Sequence, residues 1–243
     1  ALALAASVAL PVLAADDDND TIYINSVSDL LALAQNCSYD QWSKGKTVSL
    51  QEDLSLAGVE WEPIPSFSGA FKGNGHTISE MELTGAYSPA GFFGIVEESG
   101  SVRDLTVKGL VSPAGTQKTA GGIVGVNYGT LINCTFSGAV QCEEEVGGLV
   151  GRNETNGTID HSTARAVVTG SYATGGIVGY NIGVVTGCTN VGAVNAEYQE
   201  SALDMEGLPA TLLELVKQDL GDDLNNNVSN VASDTGGIAG RST

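Results

Sequence analysis

The sequence predicts an all-β chain wound as a parallel β-helix, and three observations lead there. A five-residue glycine signature recurs: "AGFFG" at Ala90–Gly94, "GGIVG" at Gly121–Gly125, "GGLVG" at Gly147–Gly151, "GGIVG" at Gly175–Gly179 and "GGIAG" at Gly236–Gly240. A second block of alternating apolar and polar residues follows each of the first four copies in constant register. Thirty-two glycines, against 6% aromatic residues and six prolines, argue for short strands and tight turns rather than helical bundles. At 243 residues and 42% hydrophobic content, the chain has ample material for a core.

The final glycines of the signature, Gly94, Gly125, Gly151, Gly179 and Gly240, lie 31, 26, 28 and 61 residues apart, so four copies share one period and the last follows an insertion. The second block reads "GSVRDLTVKGLV" from Gly100, "GTLINCTFSGAV" from Gly129, "GTIDHSTARAVV" from Gly157 and "GVVTGCTNVGAV" from Gly183. Its third column (Val102, Leu131, Ile159, Val185) and its last (Val111, Val140, Val168, Val194) are apolar in every copy. Between them the sixth, eighth, tenth and twelfth columns alternate with intervening polar residues, the period of two that turns one strand face inward. Each block is therefore expected to be a strand pair with a corner. One such unit cannot cover its own apolar face, so successive units must stack at the strand spacing of about 4.8 Å.

The structural positions of the repeat are expected at Gly91, Gly94, Gly121, Gly122, Gly125, Gly147, Gly148, Gly151, Gly175, Gly176, Gly179, Gly236, Gly237 and Gly240. Asn127, Asn153 and Asn181 join them, because they share a column two residues past the signature where stacked amides can form a hydrogen-bonded ladder.

These residues resemble a known family, the bacterial surface proteins that carry the GLUG motif, named for its glycine-rich "GGLVG" signature. "GGLVGRN" at Gly147–Asn153 is close to the motif, and "WEPIPSFSGAFKGNGHTI" at Trp61–Ile78 looks like the segment that opens such arrays. Repeats of this kind occur in large exported bacterial proteins, including noncatalytic regions of immunoglobulin A1 peptidases. The resemblance implies a surface-exposed β-helix with no established chemistry of its own. Right-handed winding is expected from the crossover rule and from the family.

Around the repeat the chain divides as follows. Residues 1–14, within "ALALAASVALPVLAADDDND", read as the end of an export signal, with an apolar run, small residues and an acidic mature start. Residues 15–60 are expected to form an N-terminal cap and first strands: "TIYI" alternates as a strand, and Leu30, Leu31, Leu33 and Ala34 suit a brief helix started by Ser26 or Ser28. Residues 61–195 hold the repeats. Residues 196–231 are an insertion in which Leu212, Val216 and Leu220 recur four apart after Pro209, predicting a helix that packs on the stack. Residues 232–243 begin a truncated further repeat.

Charge narrows the partners. With 29 acidic and 10 basic residues the chain carries −19, which disfavours nucleic acid and anionic membrane surfaces. No segment after Ala15 supplies the roughly 20 apolar residues of a membrane span, so no membrane insertion by this segment is expected.

Cofactor motifs fail residue by residue. "GKT" at Gly45–Thr47 has Asp40 where a phosphate loop needs its first glycine, and "AGGIVG" has Ala120 where a dinucleotide fingerprint needs one. No Asp follows the glycines as calcium-binding nonapeptides require, and no HExxH zinc signature surrounds His76 or His161. No cofactor or metal is expected. The carboxylates concentrate in "DDDND", in Glu143–Glu145 and around the insertion rather than along one face, and Arg103, Arg152 and Arg165 stand in different columns and make no row. That distribution is unlike the catalytic rows of polysaccharide-cleaving β-helices, a reading that rests on fold analogy alone.

Cys134 and Cys188 share a column two copies apart, about 9.6 Å, beyond the roughly 7 Å that a disulfide allows. They are expected as small buried residues where Leu105 and Ser162 stand in the other copies; Cys37 and Cys142 have no assigned place. Asn-x-Ser/Thr sites, those at Asn36, Asn133, Asn153, Asn156 and Asn227 among them, fall in a chain rich in these residues and carry no glycosylation expectation for a bacterial relative.

The expected function is noncatalytic: a stalk, adhesin or ligand-presenting segment of a larger exported or cell-surface protein, touching a host glycan or protein through its loops and insertion. The alternative is an accessory region of a secreted peptidase or glycan-degrading enzyme.

Overall fold

The computed structural model describes residues 20–39, 41–115, 119–195, 209 and 235–242. The expected export signal and, apart from Pro209, the expected insertion helix lie outside the described residues.

The described chain is an all-β parallel solenoid of four sheets. One sheet is ordered β1 (Thr21–Ile24), β2 (Thr47–Leu50), β5 (Ala70–Lys72), β8 (Ser101–Arg103), β12 (Thr130–Ile132), β16 (Thr158–Asp160) and β20 (Val184–Thr186). The second is ordered β3 (Leu54–Ser55), β6 (Thr77–Leu83), β9 (Thr106–Val111), β13 (Thr135–Gln141), β17 (Thr163–Thr169) and β21 (Thr189–Asn190). The third follows the glycine signature: β4 (Ile64–Phe67), β7 (Phe93–Val96), β11 (Val124–Asn127), β15 (Val150–Asn153), β19 (Val178–Asn181) and β23 (Ala239–Ser242). The fourth leads into it: β10 (Thr119–Gly121), β14 (Glu145–Gly147), β18 (Thr174–Gly175) and β22 (Thr235–Gly236).

Neighbouring strands pair in parallel, and the register follows the repeat columns: Leu131 pairs with Val102 and Ile159, and Val140 with Val111 and Val168. Each second block is a strand pair with a corner. The corner has a stereochemical cause that the columns also carry. Asp104, Asn133 and His161 sit at φ 55°, 50° and 44°, and Gly187 at 61°. The left-handed region is most accessible to glycine and, among the rest, to Asn, Asp and His, so this fifth column turns the chain by one residue.

Inside, the third, sixth, eighth and twelfth columns are closed to solvent in the first three copies, with Leu131, Cys134, Phe136 and Val140 all at 0–1% exposure, whereas on the fourth Val185, Cys188, Asn190 and Val194 are half-buried, so Cys188 is less covered than expected. The outward eleventh column is covered as well, with Leu110, Ala139 and Val167 at 8%, 8% and 4%. A one-face reading of the alternation would have left it bare. Aromatic rings concentrate in the first rungs, where Trp61 stacks on Phe92 at 4.9 Å and Phe67, Phe71 and Phe93 pack around them.

The helix α1 (Val27–Asn36) packs on β1 and β4 and contributes Leu30 and Leu33 to the continuous core. Ser26 caps it. Its hydroxyl accepts from Asp29 N (3.2 Å), while the Asp29 carboxylate accepts from Asn25 N (3.0 Å) and from the Ser26 hydroxyl (2.9 Å), closing a capping box.

No disulfide joins the four cysteines. Burial pushes the Cys37 and Cys134 thiols up to about 12, so both stay protonated at neutral pH. Cys37 ends α1, and Cys134 sits beside Ser162, whose hydroxyl accepts from Cys134 N at 3.0 Å.

Ile123 and Ile177 are fully buried. Replacing Ile123 with Asp places an unpaired carboxylate in the core and is expected to lower stability by more than about 4 kcal/mol. Urea denaturation checks this, and an unmoved midpoint would show that the rung register is wrong.

Candidate functional site

Three glycine columns of the signature meet three different obstacles. A Cβ on the first glycine (Gly91, Gly121, Gly147, Gly175, Gly236) would run into the carbonyl of the residue two or three places ahead in its own turn, as Gly121 would into Val124. A Cβ on the second points across the rung. At Gly122 it would overlap the Phe136 ring, at Gly148 it would meet Ala164 and the Gly176 carbonyl, and at Gly176 it would meet the Asn190 amide and the Gly237 carbonyl. Gly237, on the last described rung, has open space instead. The third glycine lies against the preceding backbone: Gly94 against Pro65, Gly125 against Gly94 and Ala90, Gly151 against Gly125 and Ala120, Gly179 against Val146, Gly240 against Thr174.

Two residues past the signature, the amides stack. Asn127 Nδ2 donates to Asn153 Oδ1 at 2.8 Å, and Asn153 Nδ2 to Asn181 Oδ1 at 2.8 Å; Asn181 Nδ2 reaches the Ser242 hydroxyl at 3.4 Å. The same Nδ2 atoms also donate to the carbonyls of Gly129, Gly157 and Gly183 at the following corner. Asn127 and Asn153 are completely buried, so these bonds are made without water. Toward the N-terminus the column continues as Val96 and Phe67, which leaves Asn127 Oδ1 without a partner.

The ionisable side chains singled out in the sequence are spread over separate faces. Arg152 on β15 bonds Glu145 (2.7 Å) and Glu154 (2.6 Å) and lies 4.6 Å from the Tyr180 ring centre. Arg103 stands beside its neighbour Asp104 at 4.0 Å, and Arg165 is exposed on β17. His161 pairs with Asp160 (2.7 Å), and His76 with Asp53 (3.1 Å). The Thr77 N–H and then His76 hold the Asp53 carboxyl below its ordinary value. Among the described residues, no group of three His, Cys, Asp or Glu comes together to hold a metal ion, and no helix is long and apolar enough to cross a membrane.

One polar hollow, of about 450 Å³, opens where the loop after α1 meets the corners of the first rungs. The loop contributes Gln41 and Lys44, β4 and its corner Ser66 and Ser68, the corner after β7 Glu97 and Glu98, and the corner after β11 Tyr128. Ser68, Glu97 and Tyr128 occupy one column on successive rungs, tied by Glu97 N to Phe67 O and Tyr128 N to Val96 O, both 2.8 Å. The loop is held in place: Ser43 Oγ accepts from Ser68 N (2.9 Å), and Lys46 lies over the Trp42 ring. Sequence reading missed this hollow because Gln41 and Lys44 of its wall come from a loop outside the repeat. A second hollow, about 360 Å³ beside Glu60, Glu80 and Glu82, has neither a basic group nor an aromatic ring in its wall.

Gly122→Ala is expected to cost about 1–3 kcal/mol by overpacking against Phe136, whereas Gly237→Ala changes stability by less than about 0.5 kcal/mol. Asn153→Ala breaks the middle of the ladder and strands the Asn181 acceptor, at about 2–4 kcal/mol. Asn156→Ala, which removes an exposed bond to Glu98, costs less than about 0.5 kcal/mol. Thermal melting of the four variants measures these differences, and equal shifts within either pair would contradict the assignment.

Comparison with known proteins matches this architecture. The model of the GLUG motif matches residues 116–141 and 144–169. Halomucin from Haloquadratum walsbyi is 31% identical over 155 residues, spanning 58% of this chain. A candidate Gly-rich membrane protein from Evansella cellulosilytica is 29% identical over 150 residues, spanning 46% of this chain. The chain corresponds to only 2% and 17% of the length of these two relatives. Among solved structures, a candidate immunoglobulin A1 protease from Bacteroides ovatus superposes with a TM-score of 0.58 at 19% identity, covering 72% of this chain and 57% of that one, and so shares the fold. The first matched window contains β10 to β13 and the second β14 to β17, so the motif unit is one physical rung of the solenoid, and the chain carries the GLUG motif on these two rungs.

Proposed function

We propose that this chain is a noncatalytic segment of an exported or cell-surface protein that presents a contact surface, as an adhesin, ligand-presenting arm or stalk. The observation that carries the reading is the repeat itself. The signature residues are glycines, apolar side chains and buried amides consumed in stacking, and none is a nucleophile, general base or metal ligand. What varies from rung to rung is the corners, where side chains such as Glu97, Tyr128, Glu154 and Ile182 follow the ladder column and are partly exposed. An extracellular or cell-surface location is supported by relatives named as a halomucin and a Gly-rich membrane protein. The net charge of −19 suits a solvated surface segment.

An accessory role in a secreted peptidase is a second reading, favoured by the name of the Bacteroides ovatus neighbour. In that case the chain positions a catalytic domain rather than a ligand.

Beads coated with the purified chain are expected to be retained on glycoprotein-coated or epithelial surfaces above beads coated with the heat-unfolded chain. Equal retention of the two would remove the adhesive reading and leave the spacing role.

A further inference from the structure

We infer that the hollow between the loop after α1 and the corners of the first rungs binds a neutral glycan, with Tyr128 as the platform for a sugar ring. The inference rests on the adhesive reading and gives it a location and a ligand class.

The chemistry of the walls selects the ligand. Donors and acceptors of both kinds face one space: the Lys44 ammonium and the Gln41 amide on the loop side, and the Glu97 and Glu98 carboxylates on the rung side. Lys44 Nζ donates to the Gln41 side-chain oxygen Oε1 at 3.3 Å, and among the described residues no ion pair joins Lys44 to either glutamate. Glu97 accepts from the Ser66 hydroxyl at 2.8 Å and Glu98 from the Asn156 amide at 3.1 Å, so both carboxylates are oriented before any ligand arrives. A ligand that donates and accepts at closely spaced positions matches such a lining, and sugar hydroxyls do both.

Charge excludes the anionic alternatives. Two carboxylates against one ammonium, in a chain of net charge −19, repel sulfated or sialylated sugars and phosphate esters.

Shape supplies the rest. Tyr128 is half-buried and brings an apolar ring with a polar tip to a hollow that is otherwise hydrophilic, which suits the C–H face of a pyranose. Glu97 and Tyr128 stand on successive rungs about 4.8 Å apart, so a short oligosaccharide lying along the solenoid axis reaches both, over the buried Ser68 of the preceding rung. At the next two rungs this column holds Glu154 and Ile182, which supply no ring, and the loop carrying Gln41 and Lys44 exists beside the first rungs only. The hollow is therefore a single site and not a repeated one.

The test is a printed array of neutral, sialylated and sulfated glycans probed with the full chain and with three variants: Tyr128→Ser, Glu98→Gln and, on another face, Arg165→Gln. Expected is binding to neutral glycans, about tenfold weaker in Tyr128→Ser and in Glu98→Gln and unchanged in Arg165→Gln, with all variants melting as the parent chain does. Equal binding by all four chains would overturn the site. Binding confined to sialylated or sulfated glycans would overturn the ligand class. A silent array with beads still retained on glycoprotein or cells overturns this inference alone, whereas a silent array without retention overturns the adhesive reading with it.

Discussion

The structure depends on how closely two walls of one rung approach at the signature corner. Parallel strands from successive rungs must stay within hydrogen-bonding distance on every sheet, so no wall can move outward to relieve crowding without breaking a ladder. The crowding is met by deleting side chains. The carbonyl of the next rung's glycine presses on this column at Gly122, Gly148 and Gly176 alike, and the opposite wall adds the Phe136 ring at Gly122 and the Ala164 methyl at Gly148. The shared backbone neighbour is why this column stays glycine while the residue opposite varies.

The buried amides answer a second constraint imposed by stacking. At the corner the carbonyls of Gly129 and Gly157 accept from Thr158 N and Val184 N of the following rung, at 2.8 and 2.9 Å, and each has a second lone pair to fill. Each ladder asparagine supplies one N–H to its corner carbonyl and another along the stack, so a single residue type satisfies the turn and ties neighbouring rungs. The row stops at Val96, where the interior becomes aromatic and apolar, and the unpaired Asn127 oxygen marks that junction. Stability built this way is local to each rung and its neighbours, which leaves the corners free to vary in sequence. The polar hollow beside Tyr128 is one such variation.

Much of this was legible in the residues. The spacing of the glycines defines the rungs, the apolar columns define the inward faces, and Asn127, Asn153 and Asn181 share one column in the sequence itself. The helix start was narrowed to two serines, and the capping box of Ser26 with Asp29 decides between them. Other features carried a signal that a period-of-two reading does not weigh: the left-handed corner is written as Asp104, Asn133, His161 and Gly187, and the covered outer column as Leu110, Ala139 and Val167. The hollow had no signal of its own, because Gln41 and Lys44 lie far in sequence from Tyr128 and only the fold of the loop brings them together.

Disulfide trapping tests the rung register most directly. Thr130 pairs with Thr158 on the adjacent rung, and Thr158 with Val184 on the next. In a background lacking the native cysteines Cys142 and Cys188, Thr130→Cys with Thr158→Cys is expected to oxidise readily, since adjacent strands stand about 4.8 Å apart, within disulfide reach. Thr130→Cys with Val184→Cys, two rungs and about 9.6 Å apart, is expected to remain reduced. A bridge in the second pair, or none in the first, would contradict the stacking on which the whole account is built.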